Sequence, residues 1–355
     1  FKMTSSIKLG NLTVGPNNPC FIIAEAGVNH NGDINLAHKL VDEAFKTRAN
    51  AIKFQSFKAS ELVSTTATKA EYQITTTGAN ESQFEMLKKL ELSLENMEQL
   101  KKHCEQLGIM FLCTPYDYES VSALEKLDVR AFKIASADIV HVPLLRQIAA
   151  TKTPLILSTG MSDLEEVWEA VTLLNTSGAK GNFALLHCTS EYPASITESN
   201  LKAILTLIEQ FDCPIGFSDH TPETIASQLA VALGACIIEK HFTLDRSFRG
   251  PDHQASLDIN GFQKLVALIR ETEEALGDGT KSPTAGADLN KQVMQRSLVA
   301  NSDIRKGDKI VEHLITVKRP GTGLSPKLYD AVIGLTSTRD IHKGEVLTHD
   351  SLNWN

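Results

Sequence analysis

Eight short apolar runs punctuate the chain before residue 245. They are CFIIAEAG (20–27), AIKFQSF (51–57), MFLCTPY (110–116), AFKIASAD (131–138), PLILSTGM (154–161), FALLHCTSEYP (183–193), PIGFSDH (214–220) and CIIEKHFT (236–243). Continuous rather than alternating apolar character belongs to strands covered on both faces, as in a parallel sheet. Amphipathic helical stretches lie between the runs. INLAHKLVDEAFKT (34–47) puts Leu36, Leu40, Val41 and Ala44 on one side. LEEVWEAVTLLNTSG (164–178) stops at Gly178, and PETIASQLAVALGA (222–235) begins with Pro222 and closes just after Gly234, the usual asymmetry of helix ends. Strand and helix in alternation, eight times in about 250 residues, is the arithmetic of a TIM (β/α)8 barrel. A doubly wound sheet is the alternative, but it stops at five or six strands.

The barrel pattern occupies residues 1–276. A stretch rich in Gly, Ser, Thr and Pro, 277–290, reads as a linker, and residues 291–355 form a second, small β domain. That domain carries a weak repeat, DIRKGDKIVEHLI (303–315) and DIHKGEVLTHDSL (340–352), the pattern of a duplicated β unit. Within the barrel one connection is long, residues 58–93, and a loop of that length has a task such as closing a site.

Composition removes several classes of partner. The 355 residues carry a formal charge of -8, which argues against nucleic acid or an anionic membrane as the main partner. No apolar run approaches the roughly 18–20 residues of a membrane span. Six cysteines (20, 104, 113, 188, 213 and 236) form no CxxC pair. With no secretory h-region in FKMTSSIKLGN, they lead us to expect a reduced, cytoplasmic protein.

The C-terminal ends of barrel strands build the active site of this fold, and all eight runs turn polar there. The groups are Glu25; Lys53 and Gln55; Thr114; Lys133, Ser136 and Asp138; Ser158; His187 and Thr189; Ser218, Asp219 and His220; Glu239 and His241. His220 and His241 end consecutive strands, where two imidazoles can share a divalent cation completed by water and substrate. Lys53 and Lys133 with Ser136, Ser158 and Ser218 offer charge and hydroxyls from several directions, as a phosphate requires. The competing reading pairs the lysines with Glu25 and Asp138 as structural ion pairs. A non-catalytic binding protein would have no need of these groups together.

The segments AEAGVNHNGD, AIKFQSFKA, ESQFEMLKKLEL, LSTGM, LLHCTSEYP, GFSDHT, EKHFTLD, GPDH and VKRPGTG, in this order along nearly the whole chain, resemble the sialic acid (nonulosonate) synthases. That resemblance implies a TIM barrel followed by an antifreeze-like (SAF) β-clip domain, phosphoenolpyruvate and an N-acylated mannosamine-type sugar as substrates, and Mn2+ or Mg2+ as the metal. It implies a domain-swapped homodimer as well. By motif, His220 and His241 correspond to metal ligands and Glu25 to the catalytic carboxylate, with Asp138 keeping an acid on the fourth strand. Lys53, Gln55, Thr114, Lys133, Ser136, Ser158 and Ser218 correspond to phosphoenolpyruvate contacts. Tyr192 and Asp252 correspond to sugar contacts, and Arg319 to the residue that reaches the partner's site. The chain departs from the family at SADIVHVP, where Ala137 replaces a Gly and His141 an Asn. The expected reaction makes N-acetylneuraminate from N-acetylmannosamine. The alternative is the same chemistry on a 2,4-diacetamido-2,4,6-trideoxyhexose, giving legionaminate or pseudaminate.

Overall fold

A computed structural model of the chain describes residues 5–354. It divides into two units between Gly277 and Asp278. The first opens with a hairpin of β1 (Ile7–Leu9) and β2 (Leu12–Val14). Eight parallel strands follow: β3 (Phe21–Gly27), β4 (Ala51–Ser56), β5 (Met110–Pro115), β6 (Phe132–Ile134), β7 (Leu155–Ser158), β8 (Phe183–Cys188), β9 (Ile215–Asp219) and β10 (Ile237–His241). Each pairs with the next, and β10 closes on β3. The expected (β/α)8 barrel is the observed one.

Alternation along the strands sorts their side chains into two cores. Outward residues such as Ile22, Ile52, Phe111, Phe132, Leu155 and Ile238 pack beneath the helices. Inward residues at the strand starts, Phe21, Ile23, Ala51, Leu112, Ile156, Leu186 and Ile237, fill the barrel together with Ile7, Leu9 and Val14 of the hairpin, which floors it. The helices are set by their caps. Asp33 accepts from Asn35 N at 2.8 Å and starts Ile34–Lys46, which buries Ala37, Leu40, Val41 and Ala44. Ala37 thus takes the inner position expected for Leu36, which is only half-buried.

The long connection 58–93 is not a loop but a run of short helices, Ala59–Leu62, Glu71–Thr77 and Gln83–Leu90. Ser82 and Glu85 form a capping box at the last of these. Lys69 ties the middle one down, donating to Thr77 Oγ1 (2.8 Å), Gly78 O (3.1 Å) and Glu81 (3.0 Å). Met86 and Leu90 pack on Val28 and Phe57. All six cysteines are free and buried. No helix among the described residues is long and apolar enough to cross a membrane.

In the second unit the stretch expected to be linker, 277–290, is helical from Ala285: Thr284 accepts from Ala287 N and opens a helix over Ala285–Met294. Two antiparallel pairs follow, β11 (Ser297–Ala300) with β12 (Ile315–Lys318) and β13 (Thr336–Ser337) with β14 (Leu352–Asn353). The two repeats meet face to face. Ile304 and Ile341 exchange both backbone hydrogen bonds (2.9 and 2.8 Å). Asp340 accepts from Lys306 N at 2.7 Å, while Asp303 accepts from Lys343 N at 2.8 Å.

Candidate active site

Inward alternation that is apolar at the strand starts turns polar at their ends. Glu25 on β3 stands beside Lys53 on β4 in register; Lys133, Ser158 and Ser218 occupy β6, β7 and β9; Glu239 faces Ser218 across β9–β10, and His241 pairs with Glu25 across β10–β3. These side chains line a cavity of about 810 Å³ whose outer wall comes from the short helices of residues 58–93.

Two carboxylates and two lysines form a buried network. Lys53 Nζ lies 3.0 Å from Glu25 Oε1 and 3.6 Å from Glu239 Oε2, and donates to Thr114 Oγ1 at 3.1 Å. Lys133 donates to Ser158 Oγ at 2.6 Å and lies 3.7 Å from Glu239 Oε1. Gln55 donates to Glu25 Oε1 at 3.1 Å, and Ser218 to Glu239 Oε1 at 3.0 Å. Burial pulls every charged form toward neutrality, and the neighbours decide which yields. For Glu25, burial outweighs Lys53, Glu239 adds repulsion, and the carboxyl rises to about 7. For Glu239, burial is overcome by Lys133 and Lys53 together, with the Ser218 hydrogen bond, and it stays well below the usual carboxylate range. Lys53 suffers burial yet is held up by Glu239 and Glu25. Lys133 is lowered, chiefly by burial. The network therefore holds one fixed anion, Glu239, and one carboxyl poised near neutrality, Glu25, whose Oε2 is buried without a partner. Environments that push two carboxyls apart mark acid–base machinery.

The histidines stand with ring centroids 5.4 Å apart. His220 Nδ1 donates to Thr189 O at 2.7 Å, which turns Nε2 toward the cavity as the basic nitrogen. His241 Nδ1 is buried without a partner, 4.0 Å from Asp252. Burial lowers both imidazoles and keeps them neutral, the form that binds a cation. Among the described residues no group of three or more His, Cys, Asp and Glu is arranged around a metal. The two neutral imidazoles are nitrogen donors that could take part in holding a divalent cation, whose other positions would go to oxygen donors from water and substrate.

Of the residues read from sequence, the structure brings Glu25, Lys53, Gln55, Lys133, Ser136, Ser158, Tyr192, Ser218, His220, His241 and Asp252 to this cavity. Thr114 lies beneath it, against Lys53. Asp138 is not among the lining residues: β6 ends at Ile134, and the carboxyl stands on a 3-10 turn, Ser136–Asp138, next to the lining Ser136 and Ala137, with Oδ2 buried and without a partner. His187 and Asp219 point outward, His187 stacking on Phe217 and bonding Ser199 O, Asp219 paired with Lys240 at 3.0 Å. Arg319 lies in the second unit, exposed, its Nε donating to Met294 O. His141, in place of the family's Asn, caps the helix Val142–Ala150 by accepting from Leu144 N at 3.4 Å. Tyr72, Tyr116 and Ser190 also line the cavity; Tyr116 and Ser190 stand at the ends of the runs MFLCTPY and FALLHCTSEYP, whereas Tyr72 carried no sequence signal. Glu239 did carry one, since it stands two residues beyond the inward Ile237.

Polar groups converging from every side of a closed barrel, with a split carboxyl pair and two neutral imidazoles, define a TIM-barrel enzyme. Residues 40–281 match the NeuB family and residues 295–353 the SAF domain. The chain belongs to the NeuB family. It is 47% identical over 327 residues to N,N'-diacetyllegionaminic acid synthase of Campylobacter jejuni, covering 92% of this chain and 98% of that protein. Pseudaminic acid synthase of the same organism is 36% identical over 92% of this chain and 95% of its own length. The crystal structure of N-acetylneuraminic acid synthetase from Leptospira borgpetersenii superposes with a TM-score of 0.72 at 38% identity, covering 81% of this chain and 95% of that one.

Proposed function

We propose that the chain is an N,N'-diacetyllegionaminic acid synthase, which condenses phosphoenolpyruvate with 2,4-diacetamido-2,4,6-trideoxymannose and water. The reaction is supported by the meeting of Glu25, two lysines and two imidazoles in one cavity. The sugar is supported by 47% identity to the legionaminic enzyme of Campylobacter jejuni against 36% to its pseudaminic one. N-acetylmannosamine, the sugar first expected from the motifs, becomes the second reading, favoured by the Leptospira synthetase at 38%.

Lys53 and Lys133 receive the phosphate and carboxylate of phosphoenolpyruvate, aided by Ser136, Ser158 and Ser218. A bound anion would favour the charged form of Lys133, which burial disfavours. Tyr192 and Asp252 hold the open-chain sugar. His220 and His241 would hold a divalent cation, which when bound would supply Lewis-acid polarisation of the aldehyde. The phosphoenolpyruvate methylene carbon bonds to the aldehyde carbon, whose π pair moves onto the aldehyde oxygen; that oxygen takes up a proton to become a hydroxyl, leaving an oxocarbenium at C2. Glu25 takes a proton from the water that adds there. The resulting tetrahedral carbon expels phosphate, with the C–O bond breaking and its electron pair leaving on phosphate. Glu239 stays ionised and offsets the lysines throughout.

Phosphate release with phosphoenolpyruvate and each of three sugars tests the reading. The diacetamido-trideoxymannose is expected to exceed N-acetylmannosamine and the altrose isomer by roughly 10²-fold in kcat/KM. A higher value for N-acetylmannosamine would install the second reading.

A further inference from the structure

Three phenols meet at one end of the cavity. Tyr192 follows β8 and lies tilted against His220, with centroids 4.2 Å apart. Tyr72, on the helix Glu71–Thr77, lies against Tyr192 at 5.2 Å and 32°. Tyr116 follows β5, edge-on to Phe57 at 6.2 Å. All three rings line the cavity beside Asp252. Large aromatic side chains in such a place usually satisfy their hydroxyls. Here the Tyr116 and Tyr192 hydroxyls have no partner among the described residues, and that of Tyr72 has only a long contact, 3.4 Å, from the Gln73 amide. Burial, then Asp252, pushes the Tyr72 phenol up. For Tyr116 the order is burial, Glu25, Asp138, Asp252. Each keeps its proton and has a hydrogen bond to donate.

The segment that supplies Tyr72 is braced rather than loose. Gln73 Oε1 accepts from Ala70 N at 3.0 Å and from Gln83 Nε2 at 3.3 Å, tying the Tyr72 helix to the next one. The anion-binding lysines, Lys53 and Lys133, carry their own partners, so the free hydroxyls are left for the other substrate. An open-chain acylated amino sugar presents hydroxyls and amide carbonyls and an apolar carbon skeleton, which suits phenols that offer both a ring and a donor.

We propose that Tyr72 and Tyr116 bind the acceptor sugar together with Tyr192, Tyr72 doing so as the inner face of a lid formed by residues 58–93. The inference rests on the proposed function, since it needs an acylated amino sugar as second substrate. The wall selects for that substrate and leaves phosphoenolpyruvate to the lysines.

Tyr72→Phe and Tyr116→Phe each remove one oxygen and keep the ring, and Tyr72→Ala removes the ring contact with Tyr192 too. Steady-state kinetics on the full chain, with whichever N-acylated sugar the wild type turns over, should show the sugar KM raised roughly 3- to 10-fold by each Phe variant. The KM for phosphoenolpyruvate and the thermal midpoint should stay unchanged, and Tyr72→Ala should raise the sugar KM further. An unchanged sugar KM in both Phe variants, or a parallel rise for phosphoenolpyruvate, overturns the proposal. Turnover of N-acetylmannosamine alone would remove the legionaminate reading yet still test the tyrosines. Turnover of no N-acylated sugar by wild type would remove both.

Discussion

Gly27 and Gly108 allow backbone strain to be separated from damage to the site. Both have left-handed backbones, with φ of +53° and +84°. Gly108 ends the helix Leu94–Leu107, and a Cβ there would meet nothing within 4 Å. Gly27 ends β3, where the register with β4 slips between Glu25 and Gly27. A Cβ there would stand 3.2 Å from Glu25 Oε1, 3.3 Å from Gln55 Nε2 and 3.6 Å from Asp252 Oδ2. Alanine in a left-handed conformation costs about 1–2 kcal/mol, partly offset by a stiffer unfolded chain. Gly108→Ala should therefore lower the thermal midpoint by roughly 2–4 °C and leave turnover within about two-fold. Gly27→Ala adds crowding against hydrogen-bonded, buried groups, worth about 1–3 kcal/mol more. Its midpoint should fall by roughly 5–10 °C. The displaced Glu25 should cost at least about 10-fold in kcat. Scanning calorimetry and phosphate release on the same preparations read both quantities. Equal losses of stability in the two variants, with full turnover in Gly27→Ala, would refute the claim that the Gly27 backbone keeps space for Glu25.

Glu25→Gln retains shape and removes the base, so kcat should fall by roughly 10²–10⁴ with an unchanged melting profile; an active Gln variant would move the proton elsewhere. His220→Ala and His241→Ala should each abolish Mn2+ binding as read by electron paramagnetic resonance, and exhaustive chelation should reversibly stop wild-type turnover; activity that survives chelation rules the metal out. Burial lowers His30 from 6.5 to about 4. The unfolded chain then takes up a proton between those values that the folded one refuses, so stability should fall as pH drops from 6.5 toward 4, by about 3 kcal/mol from this group. Denaturant midpoints across that range should show a shallower slope for His30→Gln, and an identical slope would sink the assignment.

The barrel was legible because each strand is covered on both faces, so that runs such as CFIIAEAG and CIIEKHFT needed no alternation to be seen. The site was legible because charge at the ends of such runs is costly unless used. What escaped detection has local causes. β1 and β2 have three residues each, too few for a pattern. The helices of 58–93 are four to eight residues long and read as loop, although Ser82 and Glu85 carried a capping signal. Asp138 appeared to end a strand that in fact stops at Ile134. The split between Glu25 and Glu239 depends on which lysine each carboxyl faces, and that is known only from distances.

The reciprocal bonds of the second unit, Asp340 to Lys306 and Asp303 to Lys343, have the form of an isologous interface, in which i meets j and j meets i. Two separate half-length chains could make the same contacts, but their union would depend on dilution. Joined in one chain, each half meets its counterpart at an effective concentration of order millimolar. The cover of each half is then present whatever the protein's abundance, and a change at Asp303 is felt first at the turn of the opposite half.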